Sequence, residues 1–150
     1  MKEGEMMKWS LLLLSLWASG PSAWAGKAEF FSTGEGAIRG YDPVAYFTER
    51  RPVKGKEAFH LRYRGADWYF ASAEHQNRFQ QEPEKYAPQY GGYCAWAVSK
   101  GYTASTDPQA WTLHDGKLYL NYSLGVQQDW REDIPGNVTK ADARWPKVLN

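Results

Sequence analysis

The sequence is poor in cysteine, because Cys94 is the only one among 150 residues. A lone cysteine excludes an internal disulfide, and without a Cys-x-x-Cys pair the chain cannot be a self-contained disulfide exchanger. The Gly-x-Ser-x-Gly and His-Glu-x-x-His motifs of common hydrolases are also absent. We therefore assign no catalytic residue, leave enzymatic activity open and favour a role other than catalysis.

The charges nearly balance beyond residue 25, where the chain has 16 Lys and Arg and 15 Asp and Glu. No basic stripe stands out, so a nucleic acid is not an expected partner. Only the N-terminus carries an apolar run, so we expect the rest of the chain to be a soluble domain without a membrane span.

The N-terminus has the pattern of a secretory signal. Lys8 precedes an apolar run at residues 9–18, and Ala23-Trp24-Ala25 is a pattern that signal peptidases accept. The run is too short to cross a bilayer. We predict a signal peptide at residues 1–25, cleaved after Ala25, and a periplasmic or secreted domain at residues 26–150. The alternative is a buried N-terminal helix.

Two hairpin patterns lie in the predicted domain. Residues 59–64 alternate between apolar and polar side chains, and Ser72 then begins a predicted helix at residues 73–81. Residues 111–122 alternate again around a turn at Asp115-Gly116. A helix follows Ser123, residues 134–136 are expected to stop it, and a last helix is predicted over residues 138–145.

The two patterns match each other in order and spacing, which indicates a diverged duplication, with coincidence as the alternative. The matched pairs are Ser72 with Ser123, Phe79 with Trp130, and Pro83 with Pro135. The predicted fold is a small single α+β domain, made of two β-hairpin-plus-helix units with additional short helices.

Cys94 lies in a short apolar stretch, residues 93–100, which we interpret as a buried helix ended by Gly101. A strand is the alternative, because short apolar runs are ambiguous. If Cys94 occupies the first turn of that helix, the free N–H groups and the helix dipole favour a thiolate, the form that binds metals or attacks disulfides. Inert burial of the thiol is the other interpretation.

His75 and Asp42 are further candidates for a site. His75 lies in the first turn of the helix after Ser72, where the positive helix end favours a neutral imidazole, the form that a metal requires. The alternative is that its imidazole makes a hydrogen bond to a backbone group. Asp42 precedes Pro43 and is first of all a helix N-cap. Its second role would be to bind the metal through a carboxylate oxygen.

Four motifs follow one another along the first half of the domain: Asp42-Pro43-Val44, Trp68-Tyr69-Phe70-Ala71-Ser72, His75 with Phe79, and Pro83-Glu84-Lys85-Tyr86. In this order they resemble the YHS domain family. Further on, Gly91-Gly92-Tyr93-Cys94-Ala95 and Trp111 resemble the exported branch of that family, in which some members carry selenocysteine at the position of Cys94. The resemblance extends over residues 37–147.

The resemblance implies a link to metals, because the YHS family and its TRASH relatives are associated with heavy-metal binding through cysteines. Those cysteines follow Asp-Pro-Val and flank the Phe-x-Ser turn. Ala45, Ala71 and His75 hold the three positions here. The three-thiolate site of the family therefore cannot form, and a metal would need other ligands.

We predict a soft metal ion held by Cys94 and His75, with copper favoured and zinc second, because thiolate and imidazole suit both metals. The third ligand is expected from Asp42, a tyrosine, water or the second chain of a twofold dimer. Two other hypotheses stay open at this point. One is a thiol redox protein with Cys94 as its reactive group, and the other is a non-catalytic interaction module.

Overall fold

The computed structural model describes residues 26–150, so the predicted signal peptide lies outside the described residues. The strands in this range form three separate antiparallel pairs. They are β1 (Ser32–Thr33) with β2 (Gly36–Ala37), β3 (Lys56–Tyr63) with β4 (Ala66–Phe70), and β5 (Trp111–His114) with β6 (Lys117–Leu120).

Short helices lie before and after the hairpins. They are α1 (Ala45–Thr48), α2 (Ala73–Gln81), α3 (Pro83–Tyr86), α4 (Ala95–Ser99), α5 (Leu124–Arg131) and α6 (Ile134–Arg144). Turns of 3-10 helix lie at Ile38–Gly40, Gln89–Gly92 and Lys147–Leu149. This arrangement confirms the small α+β domain. From residue 26 onward, no helix is both long and apolar enough to cross a bilayer.

The first hairpin and its helix form as the sequence patterns predict. Leu61 pairs with Trp68 across the β3–β4 ladder. The Ser72 hydroxyl accepts a hydrogen bond from the His75 backbone N–H at 3.1 Å, which satisfies a free donor at the start of α2. Phe79 then packs on Trp68, with ring centroids 4.9 Å apart.

The second unit repeats these contacts. The Ser123 hydroxyl accepts a hydrogen bond from the first turn of α5 at 3.2 Å. Trp130 packs on Tyr119, with ring centroids 5.2 Å apart. Tyr119 precedes Ser123 by four residues, as Trp68 precedes Ser72. These equivalent contacts support the duplication of a hairpin-plus-helix unit.

Strand β6 departs from the expected pattern, because both of its faces are buried. Leu118 and Leu120 pack in a core that includes Trp68. Tyr119, between them, packs in a second core that includes Trp130. From Leu118 onward the strand therefore joins the two apolar cores and leaves no side chain exposed.

Helix α4 confirms the helical interpretation of residues 93–100, but it starts later than predicted. It begins at Ala95, so Cys94 precedes the helix and is not part of its first turn. Gly101 ends the helix with a φ of +92°, and its N–H donates to the Val98 carbonyl.

Helix α2 ends before Pro83 at the predicted residue, Gln81, but the boundary at residues 134–136 differs from the prediction. Residues 134–136 do not stop a helix, because Pro135 lies in the first turn of α6, and this helix begins before the predicted range of residues 138–145. Pro83 likewise opens α3. A first turn tolerates proline because its N–H groups have no intrahelical partner. Asp133 caps α6 through its side chain.

Candidate functional site

The Asp42 carboxylate is buried at the centre of the first unit, with 0% of the residue exposed. Its Oδ1 accepts hydrogen bonds from the N–H groups of Val44 at 2.8 Å and Ala45 at 3.3 Å. Its Oδ2 accepts from the Ala71 N–H at 2.9 Å and lies 2.6 Å from Nδ1 of His75. One carboxylate thus joins the start of α1, the end of β4 and the first turn of α2.

The His75 ring is held at both nitrogens, by Asp42 at Nδ1 and by Thr48 at Nε2. Because an ionised carboxylate only accepts hydrogen bonds, Nδ1–H donates to Asp42 and the lone pair of the neutral ring lies on Nε2. Nε2 lies 3.2 Å from Oγ1 of Thr48. The His75 side chain is 13% exposed.

The three positions that carry cysteine in the YHS family converge on this carboxylate. The backbone N–H groups of Ala45 and Ala71 donate to its two oxygens, and the His75 ring contacts one of them. The three positions at which the resemblance places cysteines therefore lie around one carboxylate in this chain.

A resident metal of the family type does not fit these residues. Ala45 and Ala71 offer no donor atom, and each oxygen of Asp42 already has two hydrogen-bonding partners. Nε2 of His75 is the remaining donor of this group. In the part of the chain that the structure describes, no three His, Cys, Asp or Glu side chains are grouped to hold a metal ion.

Cys94 lies outside the group around Asp42. Its Sγ lies 3.5 Å from Oδ1 of Asn121 and accepts a hydrogen bond from the Tyr122 N–H at 3.3 Å. It shares no hydrogen-bonding partner with Asp42 or His75. The predicted ligand set of Cys94, His75 and Asp42 is therefore not assembled as one group: His75 contacts Asp42, whereas Cys94 contacts Asn121 and Tyr122.

Cys94 precedes α4 instead of lying in its first turn, and its burial opposes the expected thiolate. The residue is 1% exposed, and burial raises the pKa of its thiol. The backbone groups of Ala97, Tyr122 and Trp96 lower the pKa, but burial is the larger effect. A helix of five residues adds little dipole to offset it. The hypothesis of a fast thiol-exchange protein loses its physical basis.

We expect the native Cys94 thiol to alkylate more slowly than free cysteine at neutral pH. Its raised pKa leaves less thiolate, and burial excludes the reagent. Iodoacetamide labelling followed by intact mass measures the rate, and the same chain in urea is the control that should react fully. A native rate equal to that of free cysteine would contradict the buried, protonated thiol.

Two residues of these surroundings are absent from the sequence predictions. Thr48 ends α1 and contacts His75. Asn121 is expected on an alternating strand, yet it is fully buried beside Cys94. No local motif marks either residue, because their roles depend on contacts between distant segments.

The comparisons with known proteins agree with the motifs. The YHS domain family model matches residues 44–90, a range that includes Ala45, Ala71 and His75. Neither the search of curated proteins nor the search of solved structures found a match. The comparisons thus show a similarity to the YHS domain family at residues 44–90.

Proposed function

We propose that the protein is an exported metal-handling module that takes up a soft metal ion as cargo through Nε2 of His75, with copper favoured and zinc second. The observation that carries the proposal is the 2.6 Å contact between Asp42 Oδ2 and His75 Nδ1, at the place of the family cysteines. A carboxylate on the inner nitrogen of a ligating histidine fixes the orientation and tautomer of the ring. Imidazole suits both copper and zinc.

The number of donors favours transfer over storage. His75 offers one nitrogen, so the metal must keep donors from the molecule that delivers it, or gain them from a second copy of the chain. An ion shared in this way can be passed on, because this chain supplies only one of its ligands. Export of the module rests on the signal pattern that ends at Ala25.

Thr48 is the expected competitor of the metal. Its Oγ1 lies 3.2 Å from Nε2 and also lies 3.4 Å from the Val44 carbonyl. A metal on Nε2 would replace the contact with His75, while the hydroxyl could still donate to Val44. Removing this hydroxyl should therefore leave metal affinity unchanged or increase it.

The test is a competition titration of the protein with Cu(I) and Zn(II) under reducing conditions. His75→Ala should weaken binding at least ~10-fold, since loss of even a residue that orients a ligand costs that much. Thr48→Val should bind at least as tightly as wild type. His60→Ala is the matched control, because His60 also contacts a carboxylate, Asp67 at 2.9 Å, but on the surface.

Two results would contradict the proposal: wild type that binds neither metal at micromolar concentration, or His75→Ala that binds as well as wild type. A non-catalytic interaction module would then be the better explanation.

A further inference from the structure

A polar cavity lies between the segment before α1 and the segments on either side of the second hairpin. It has a volume of about 460 Å³ and is lined by Arg39, Ser105, Thr106, Asp107, Pro108 and Tyr122. None of these residues hydrogen-bonds to Asp42 or His75. Small-molecule sites have volumes of about 300–1,000 Å³, so this cavity has the size for a small ligand.

A strained stretch of backbone presents Arg39 to this cavity. Ile38 and Arg39 have φ angles of +50° and +51°, in the left-handed region. That region is unfavourable for residues with a side chain, above all for a β-branched one such as isoleucine. Ile38 is buried in the core that includes Trp68, and the Arg39 Nε–H donates to the Thr106 carbonyl at 3.0 Å. Strain of this kind concentrates at ligand sites, so the placement of Arg39 indicates a function.

Hydrogen bonds also fix the segment that supplies most of the other lining residues. The Tyr46 hydroxyl donates to the Pro108 carbonyl at 2.9 Å, and the Thr106 hydroxyl donates to the Gly92 carbonyl at 2.7 Å. Both bonds join this segment to a distant part of the chain. The cavity is therefore formed before any ligand arrives, which lowers the cost of ordering the protein on binding.

Arg39 and Asp107 line the same cavity but do not pair with each other. Among residues 26–150, neither side chain belongs to an ion pair. Arg39 uses Nε for its bond to Thr106, so the two outer nitrogens of the guanidinium remain for a ligand. Oδ1 of Asp107 accepts from the Gln109 N–H at 2.8 Å, which holds the carboxylate. A cation and an anion fixed at one cavity are complementary to a small molecule that carries both charges.

We propose that the cavity binds a free α-amino acid with an apolar side chain. The carboxylate of the ligand contacts Arg39, because the planar guanidinium donates two parallel N–H groups to a carboxylate. The ammonium of the ligand contacts the carboxylate of Asp107. Tyr122 is 56% exposed, and its ring gives the apolar side chain of the ligand a surface to pack on. Binding here uses neither His75 nor a metal ion.

The first test is calorimetric titration of the protein with three related compounds in the presence of a metal chelator. Phenylalanine carries both charges, N-acetylphenylalanine only the carboxylate, and phenylalaninamide only the ammonium. Phenylalanine should bind at least ~10-fold more tightly than either derivative, since a lost hydrogen bond to a charged group costs about that much. No saturable binding of phenylalanine at millimolar concentration, or equal binding of either derivative, would overturn the proposal. The chelator keeps this result independent of the metal titration.

A second test removes each charge of the cavity by mutation. Arg39→Gln and Asp107→Asn should each weaken phenylalanine binding at least ~10-fold. Asp107→Asn retains an oxygen that can accept from Gln109, so this variant should fold even if Arg39→Gln does not. Arg62→Gln and Asp115→Asn are the matched controls, because they remove one exposed charge of each sign, and both should bind like wild type. Cavity variants that bind phenylalanine as tightly as these controls would overturn the proposal.

Discussion

Replacing Asp42 with alanine should lower the free energy of unfolding by about 3–5 kcal/mol, a large share of the stability of a small domain. The substitution leaves three backbone N–H groups and the His75 ring without their acceptor. Each buried donor without a partner costs about 1–3 kcal/mol. Urea unfolding followed by tryptophan fluorescence measures the change.

Asp67→Ala is the matched control, because Asp67 also contacts a histidine, but with 37% of its side chain exposed. Exposed pairs contribute about 1 kcal/mol or less. If Asp42→Ala does not fold, Asp42→Asn keeps the shape of the side chain and should fall between wild type and alanine. Equal effects of Asp42→Ala and Asp67→Ala would contradict the central position of the Asp42 carboxylate.

Restoring the family cysteines should create a tight metal site. In the double variant Ala45→Cys/Ala71→Cys, two thiolates join His75 around one point, and affinity for Zn(II) should rise at least about 100-fold over wild type. The expectation follows from the backbone N–H groups of Ala45 and Ala71, which lie 3.3 and 2.9 Å from the two oxygens of one carboxylate. Competition with a chromophoric chelator measures the affinity.

The matched control is Ala45→Ser/Ala71→Ser, which adds side chains of similar size at the buried positions but no thiolate. It separates metal binding from any cost of overpacking, which is about 1–3 kcal/mol for extra atoms in a tight core. If the cysteine variant binds zinc no better than the serine variant, the three positions do not form the family site.

Local rules were sufficient for much of the fold. Ser72 and Ser123 begin helices because their hydroxyls satisfy first-turn N–H groups, a property of the residue and its immediate neighbours. The Asp115-Gly116 turn is local in the same sense, with positive φ at both residues. Such features can be predicted from the sequence because few distant contacts are able to override them.

Features that depend on two distant segments could not be predicted. Strand β6 has two buried faces only because a second core forms around Tyr119. The thiol of Cys94 is protonated because burial outweighs the backbone donors, and burial is a property of the whole fold. The contact of Thr48 with His75 joins residues 27 positions apart.

The sequence did contain one signal of the site, in the similar spacing of Asp42 and Cys94 from the two serine caps. Asp42 lies 30 residues before Ser72, and Cys94 lies 29 residues before Ser123. Extending the repeat backward from its serine caps would have aligned the carboxylate with the thiol and separated Cys94 from His75. The single set of ligands predicted from Cys94, His75 and Asp42 combined residues from both units, whereas the structure gives each unit its own polar centre.

The central claim is that His75 presents Nε2 to a soft metal while Asp42 holds Nδ1. The most direct measurement is nitrogen-15 NMR of the three imidazoles as Cu(I) is added under reducing conditions. The Nε2 resonance of His75 should shift with added copper, while its Nδ1 keeps the signature of a proton shared with a carboxylate and His60 and His114 stay unchanged. Copper-dependent shifts confined to His60 or His114, or no shift of any imidazole, would contradict the account.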